Sequence, residues 1–379
     1  CTAKRINYYT HEFAYNGGYV LCKNTQPQDH RFYTKQAEKL WKCKKSSIEQ
    51  KRQIGDIFFK KKIGIKKILI PSSRAIFGFL KVIRIYKKIK PDLVLSLQTY
   101  ANVLTLMINK FFFSNNLKII CCERISKKRY ESNLKGKIIL ILAKLFYRYS
   151  KLVICNSKEL SQEFKSISKN LKVIHIYNPT LKSNFNLLSK KFVVKSKPFF
   201  KKKKPILFSL GRLDYNKNNL MLLKAYNEIK NKINCNIVLM GDGEQKNVLL
   251  DYAAKNDFKK NLFIYNFKKN PYPYLLKSDV LVLTSRTEGL PNVLIEALAL
   301  KKFVISTKCP TGPKEILLNG KTGFLVKNDD YKDLANKIKI YFQKPQIVKT
   351  KKKNIPKSLS QFSPSKSLNK YQEVVDNLF

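Results

Sequence analysis

"RTEGLPNVLIEALAL", residues 286–300, sets two glutamates, Glu288 and Glu296, eight positions apart around Pro291. Acidic residues are scarce in this chain, 25 against 76 Lys and Arg, so a pair of carboxylates this close invites a reason. The residues just before, "LVLTS", form a run of branched apolar side chains, the pattern of a strand buried on both faces of a parallel sheet. Pro291 suits the first position of a helix, where its missing N–H costs nothing, and "NVLIEALAL" continues without Gly or Pro. The pattern predicts a strand, a loop carrying Glu288, and a helix with Glu296 about one and a half turns in. Both carboxylates then point toward the carboxyl edge of the sheet, where open α/β folds bind ligands. The amides of Asn292, Val293 and Leu294, unpaired at a helix start, favour an anion there. Spacing alone leaves two readings open: solvated loop and helix carboxylates, or ligand-binding groups.

Working outward, "ILFSLGRL", "NIVLMGDG", "NLFIYNF", "DVLVLTS", "KFVIST" and "GFLV" read as six strands separated by helices or loops, a doubly wound α/β domain over 205–345. Upstream, "DLVLSL", "LKIICCE", "KLVICNS" and "KVIHIYNP" alternate with the helical patterns "RAIFGFLKVIRIYKKIK", "ANVLTLMIN", "GKIILILAKLFYRYS" and "SKELSQEF", the last capped by Ser157 with Glu159 nearby. This predicts a first α/β domain over 1–185, whose first 60 or so residues lack a clear first strand and suggest a truncated start. Between the two, 186–204 loses its periodicity and fills with lysine, the expected linker. Residues 346–379 read as a Lys/Ser/Pro-rich tail ending in a helix.

The 379 residues suffice for two cores, and 44% apolar content is that of a globular chain. A formal charge of +51 favours anionic partners, such as lipid headgroups, nucleic acid or phosphorylated ligands. Eight cysteines show no C-x-x-C pair or zinc spacing and fall in apolar runs such as "KIICC", which reads as buried free thiols in a reducing compartment. With three histidines, His11, His30 and His175, a histidine-based metal site is not expected. "KIILILAKLFY" is too short to span a bilayer and carries Lys144, and no signal peptide pattern opens the chain. The expectation is a cytoplasmic protein, lying on the inner face of the membrane through the basic helix 81–90, "KVIRIYKKIK".

Several loops follow predicted strands on the same edge. "GRLDYNK" gives Gly211, Arg212 and Lys217, a planar fork and a point charge suited to a pyrophosphate. "MGDG" places Gly241 and Gly243 where backbone could approach a ligand or simply turn. "CPTGPKEIL" repeats the loop–glycine–proline–helix device with Gly312 and Pro313. "FKKNPYPYLLKSD" reads as a surface loop whose two tyrosines either wall a flat base or stiffen the connection.

Taken together, "GRLDYNKN", "GDG", the continuous stretch 267–300 and "CPTGPKEILLNGKTGFLV" resemble the nucleotide-sugar-binding half of family-four retaining glycosyltransferases, from about 206 to 340. The glutamate-x7-glutamate spacing is that family's signature. A fainter resemblance covers "KPDLVLSLQTYANVLTLM", "IICCERIS" and "VIHIYNPT". The resemblance implies the GT-B architecture, two doubly wound Rossmann-like domains facing a central cleft, and a nucleotide-sugar donor with no metal or other cofactor. It implies that Arg212 and Lys217 hold the diphosphate, Glu288 the sugar and Glu296 the ribose hydroxyls. Backbone at Gly211, Gly241, Gly289, Leu290, Asn292 and Val293 would line sugar and phosphates, and Asn266 and Phe267 would face the base. Asn102, Glu123 and Arg124 are acceptor-side candidates.

This chain departs from the family pattern at Lys301-Lys302-Phe303, where a Gly-Thr-Pro-like turn is usual, at Lys308 for Asp and at Asn266 for Gly. Gly17-Gly18 stands near an expected acceptor loop with unmatched flanks, and "SLQTYAN" lacks a histidine that many relatives carry. The expected function is transfer of a hexose or N-acetylhexosamine from a nucleotide diphosphate sugar, UDP above all, to a lipid-linked or surface-polysaccharide acceptor. Its partners would be the donor, that acceptor and an anionic membrane surface, not nucleic acid, since no aromatic-basic recognition motif stands out. The rival readings are a nucleotide-sugar epimerase on the same architecture, and an inactive remnant or basic anionic-surface binding protein.

Overall fold

The computed structural model describes residues 19–22, 65–68 and 75–378, apart from 168–169, 182–183 and 191–203. His11, His30, Gly17 and Gly18 lie outside the described residues, as does most of the expected linker. The chain divides into two compact units, one of residues 1–156, 161–176 and 368–379, the other of residues 157–160 and 177–367.

The first unit holds a six-stranded sheet in the order β2-β1-β3-β4-β5-β6. Its parallel part is β3 (Leu93–Leu97), β4 (Lys118–Glu123), β5 (Leu152–Cys155) and β6 (Val173–His175); α1 (Ala75–Ile89) leads into β3, α2 (Thr99–Phe112) joins β3 to β4, and α3 (Leu134–Phe146) lies between β4 and β5. All five residues of β3 are buried, as a run of consecutive apolar side chains requires of a strand covered on both faces. The expectation of no clear first strand is corrected here. β1 (Tyr19–Cys22) pairs antiparallel with both β3 and β2 (Ile65–Ile68), and at four residues each the two strands are too short to show a period.

The second unit holds a fully parallel sheet of β7 (Ile206–Leu210), β8 (Asn236–Met240), β9 (Leu262–Tyr265), β10 (Val280–Leu283), β11 (Phe303–Thr307) and β12 (Phe324–Val326). Its order, β12-β11-β10-β7-β8-β9, runs outward in two directions from the β7–β10 pair. The chain reverses its direction of winding there, and the crevice outside the carboxyl ends of such a pair is where doubly wound sheets take ligands.

The basic tail differs from expectation. Residues up to 367 belong to the second unit, and from 368 the chain joins the first. The terminal helix (Pro364–Asp376) buries Tyr371 against Leu93, Leu95, Ile120 and Ile154 of the first sheet. Tyr371, Val374, Val375 and Leu378 recur at helical spacing, so the terminal helix was legible, but no local pattern shows which unit it joins.

Cys121, Cys122, Cys155, Cys235 and Cys309 are free and buried, and burial pushes the Cys122 thiol up to about 12. No helix among the described residues is long and apolar enough to cross a membrane.

Lys301 stands in the left-handed region at φ 57°, just after the helix Asn292–Ala299. Its amide and that of Lys302 close the helix onto Leu298 and Ala297, both at 2.9 Å. Glycine adopts this conformation without the steric cost that a Cβ brings. Lys301→Gly is therefore expected to stabilise the second unit by about 0.5–1 kcal/mol, read as a raised denaturation midpoint. A midpoint that stays or falls would show that the lysine side chain makes up for the strain.

Candidate functional site

Four adjacent strands, β10, β7, β8 and β9, deliver every expected donor-site residue to one edge of the second sheet. Gly211, Arg212 and Lys217 follow β7, Gly241 follows β8, Asn266 and Phe267 follow β9, and Glu288 to Glu296 follow β10. The loops continue the ladder past the strands: Gly211 donates to the Met240 carbonyl at 3.1 Å and Gly241 to the Tyr265 carbonyl at 2.8 Å. A Cβ on Gly241 would lie 1.8 Å from the Gly211 carbonyl oxygen, so close approach of the two loops, and not only a turn, demands glycine there.

The loops after β7 and β10 are laced together. Asn216 Nδ2 donates to the Thr287 carbonyl at 3.0 Å, Thr287 Oγ1 to Asn216 Oδ1 at 2.6 Å, and Thr284 Oγ1 to the Lys217 carbonyl at 2.9 Å. The Lys217 amide donates to Asp214 Oδ1 at 2.8 Å. This stitching brings the Lys217 ammonium to 2.5 Å from Glu288 Oε1, with the two side chains 16% and 14% exposed. Arg212 pairs with Asp214 at 2.8 Å and stays half exposed. This edge thus presents a half-exposed guanidinium paired with Asp214 and a lysine held in place by a carboxylate.

From the other side, Thr311 Oγ1 donates to the Glu288 carbonyl at 2.6 Å. Gly312, at φ 94°, packs so closely that an added Cβ would sit 2.6 Å from Pro291 Cδ and 2.7 Å from the Gly289 carbonyl oxygen. The 309–312 loop therefore braces the turn Gly289–Leu290–Pro291. At the helix start, the Leu294 amide donates to the Pro291 carbonyl at 3.0 Å, which corrects its expected place among the unpaired amides. The Asn292 side chain is also taken, its Oδ1 accepting from Asn178 Nδ2 at 2.9 Å and Thr180 Oγ1 at 3.0 Å. Only backbone at Asn292 and Val293 can face an anion.

Glu296 lies about one and a half turns into the helix Asn292–Ala299 and is 6% exposed, so the reading of a solvated helix carboxylate fails. The Tyr272 hydroxyl donates to its Oε1 at 3.1 Å, and burial, with Glu296 beside it, pushes that phenol well above its ordinary range. The segment expected to be a surface loop is instead the helix Tyr272–Lys277, begun by Pro271, with Tyr272 and Tyr274 in the core. Tyr272 packs edge-on against Phe185 at 4.7 Å, which corrects its reading as a wall for a base. Its partnership with Glu296 was missed because no local spacing relates residues 24 apart in the chain. Phe267 is 58% exposed, while Asn266 Oδ1 accepts from Lys246 Nζ at 3.2 Å.

In the first unit, Asn102, Glu123 and Arg124 are all buried. Thr99 Oγ1 at 2.8 Å, Asn102 Nδ2 at 2.7 Å and the Tyr147 hydroxyl donate to the Glu123 carboxylate, and Arg124 hydrogen-bonds Tyr371 of the terminal helix. What this arrangement does visibly is pin the carboxyl end of β4 to its neighbours. Burial raises the Glu123 carboxyl from 4.5 to about 7, against the pull of its three donors and Arg124. A folded-state pKa above the unfolded one means that the folded form holds the extra proton. The group's contribution is whole below about pH 4.5 and is lost as pH rises through about 7. Glu123→Gln should therefore match the unmodified protein near pH 4.5 and exceed it by about 1 kcal/mol at pH 8, the amide recovering part of the burial penalty. Denaturation midpoints that differ equally at both pH values would contradict this.

Residues 191–358 match the family described as Glycosyl transferases group 1. An uncharacterized glycosyltransferase of Methanocaldococcus jannaschii is 34% identical over 248 residues, 62% of this chain and 60% of the relative's length. An N-acetylgalactosamine-N,N'-diacetylbacillosaminyl-diphospho-undecaprenol 4-alpha-N-acetylgalactosaminyltransferase of Campylobacter jejuni is 27% identical over 74% of this chain and 77% of its own. Among solved structures, sucrose-phosphate synthase from Thermosynechococcus elongatus shares the fold with a TM-score of 0.67 at 18% identity, covering 82% of this chain and 80% of its own. HepE of Anabaena, solved with UDP, shares it at 0.64 and 19% identity over 79% of this chain and 82% of its own. With α/β sheets in two separate units the chain has the GT-B fold, and over residues 191–358 it is similar to the group 1 glycosyl transferases.

Proposed function

We propose that the chain transfers a hexose or N-acetylhexosamine from a UDP-sugar to a lipid-linked or surface-polysaccharide acceptor, with retention of configuration and without a metal, at the inner face of the membrane. The observation that carries this reading is the convergence of Arg212, Lys217, Glu288 and Glu296 on the β7–β10 edge, with Glu296 buried and hydrogen-bonded by Tyr272. As the glycosidic bond breaks, negative charge grows on the departing diphosphate. Arg212 and Lys217 stabilise it, a part that a metal plays elsewhere. Lys217 then serves two anions, its Glu288 partner and the phosphate, and Glu288 orients the sugar through its remaining oxygen. Glu296 accepts from the ribose hydroxyls, and Phe267 offers a ring face to the base. The acceptor falls to the first unit. The names of the Campylobacter relative, a transferase to a diphospho-undecaprenol carrier, and of the UDP-bound Anabaena structure support the choice of acceptor and donor. Retention rests on the resemblance of residues 206–340 to family-four enzymes.

A panel of UDP-sugars, incubated with extracted lipid-linked glycans in the presence of EDTA, tests the reading. Transfer from one donor, insensitive to EDTA and giving the α-anomer from an α-donor by NMR, is expected. Interconversion of two UDP-sugars without transfer would establish an epimerase instead. A thermal shift with an oligonucleotide but not with UDP would place the chain among basic anion-binding proteins.

A further inference from the structure

The first unit presents an apolar face that nothing within the described residues covers. On α3, Leu134, Ile138, Ile141 and Leu145 are 74%, 48%, 60% and 46% exposed. Their spacing of four, three and four residues lines them along one side of the helix. The face continues onto α2, where Phe111 is 64% and Phe112 47% exposed, through the Phe111–Phe146 ring contact at 6.1 Å. It reaches α1 through Phe79 and Phe112 at 5.5 Å, with Leu80 exposed alongside. Single exposed apolar residues are ordinary, but a contiguous group across three helices marks an interaction surface.

The charges around it choose the occupant. Lys135, Lys137 and Lys144 on α3, and Arg148 just beyond it, are exposed. Neither α1, α2 nor α3 contains an Asp or Glu. A second copy of the same face would set these cations against one another, which disfavours self-association. An anionic bilayer answers both features: the apolar stripe enters the boundary between headgroups and acyl chains, and flanking Lys and Arg reach the phosphates. At 13 residues, α3 extends about 20 Å against a hydrocarbon core of about 30 Å, so it lies along the surface and does not cross.

We propose that the α3 stripe, with Phe111 and Phe112 of α2 and the surrounding basic residues, docks the first unit onto an anionic lipid bilayer. This deepens, and rests on, the reading of an enzyme working at a membrane surface. It also moves the contact from the helix expected in the sequence. Val82, Ile83 and Tyr86 of α1 are buried in the unit, so that helix can lend charge through Arg84, Lys87 and Lys88, but among its described side chains only Leu80 is a large exposed apolar one.

The test is co-sedimentation of the full chain with vesicles of phosphatidylcholine alone or with about a third phosphatidylglycerol, at low and high salt, beside a UDP thermal shift. The unmodified protein should bind the anionic vesicles, and binding should weaken with salt. Ile138→Ser/Ile141→Ser should lower the partition coefficient at least about 10-fold, and Lys137→Glu/Lys144→Glu by more, because charge is reversed. Lys87→Glu/Lys88→Glu on α1 should cost less than either. An unchanged UDP shift shows that the variants are folded. Anionic-vesicle binding that both α3 variants retain would overturn the assigned face while leaving membrane attachment standing. No vesicle binding by the unmodified chain, or an α3 change that alters only its sedimentation as an oligomer, would overturn both. Absence of any UDP shift beside intact docking would count against the donor site alone.

Discussion

Lys217→Ala is expected to lower the turnover of sugar transfer by roughly 10²–10³, the size typical of removing one oriented donor from a developing anion. The lysine is already fixed before any ligand arrives, by the 2.5 Å pair with Glu288 and the backbone ties at Thr284 and Asp214. A preorganised charge acts more on the transition state than on the ground state, so donor affinity should fall less than turnover. Arg212→Ala should act in the same sense. Its side chain is half exposed where that of Lys217 is largely buried, so solvent screens its charge more and its loss should be smaller. Arg212→Lys should rescue only in part, because the planar fork is gone. Turnover unchanged in both alanine variants would remove the clamp from the account.

Glu296→Ala should weaken UDP binding about 10- to 100-fold, the equivalent of losing a hydrogen bond to a charged group worth about 1.5–3 kcal/mol. The same truncation leaves the buried Tyr272 hydroxyl without its acceptor, so part of any stability loss is Tyr272's. Tyr272→Phe separates the two effects: it should leave Glu296 less firmly aimed and weaken UDP only a few-fold, by about 1 kcal/mol. Glu288→Gln should hold UDP affinity nearly constant and reduce turnover, since the loop carboxylate keeps Lys217 in place and is proposed to orient the sugar. Calorimetric titration of UDP into each variant reads all three. Equal loss of affinity in the Glu288 and Glu296 variants would mean that the two roles are exchanged or shared.

The strands were legible because buried parallel strands must be apolar along their whole length, and "LVLSL", "NIVLM" and "FVIST" announce this without any alternation. β1 and β2 were not, because four residues each carry too few side chains to set a period. The site was half legible. A glycine or basic residue after each strand can be read locally. The adjacency of β7 and β10, which makes neighbours of Lys217 and Glu288, depends on strand order, and no local pattern holds that. For the same reason the sequence pointed to α1 as the membrane contact. Its basic residues are visible in the string, but the burial of Val82 and Ile83 and the exposure of Ile141 follow from packing.

The most direct test of the nucleoside diphosphate clamp compares UDP with UMP. Calorimetric titrations of both into the unmodified protein and into the Arg212→Ala/Lys217→Ala double variant isolate what the second phosphate gains from the β7 loop. The account predicts that UDP binds about 10-fold or more tightly than UMP in the unmodified protein, as charge-assisted bonds to one more phosphate require. In the double variant that difference should shrink to near nothing, while UMP affinity stays close to its original value. A preference for UDP that survives loss of both cations, or an unmodified protein that binds neither nucleotide, would contradict it.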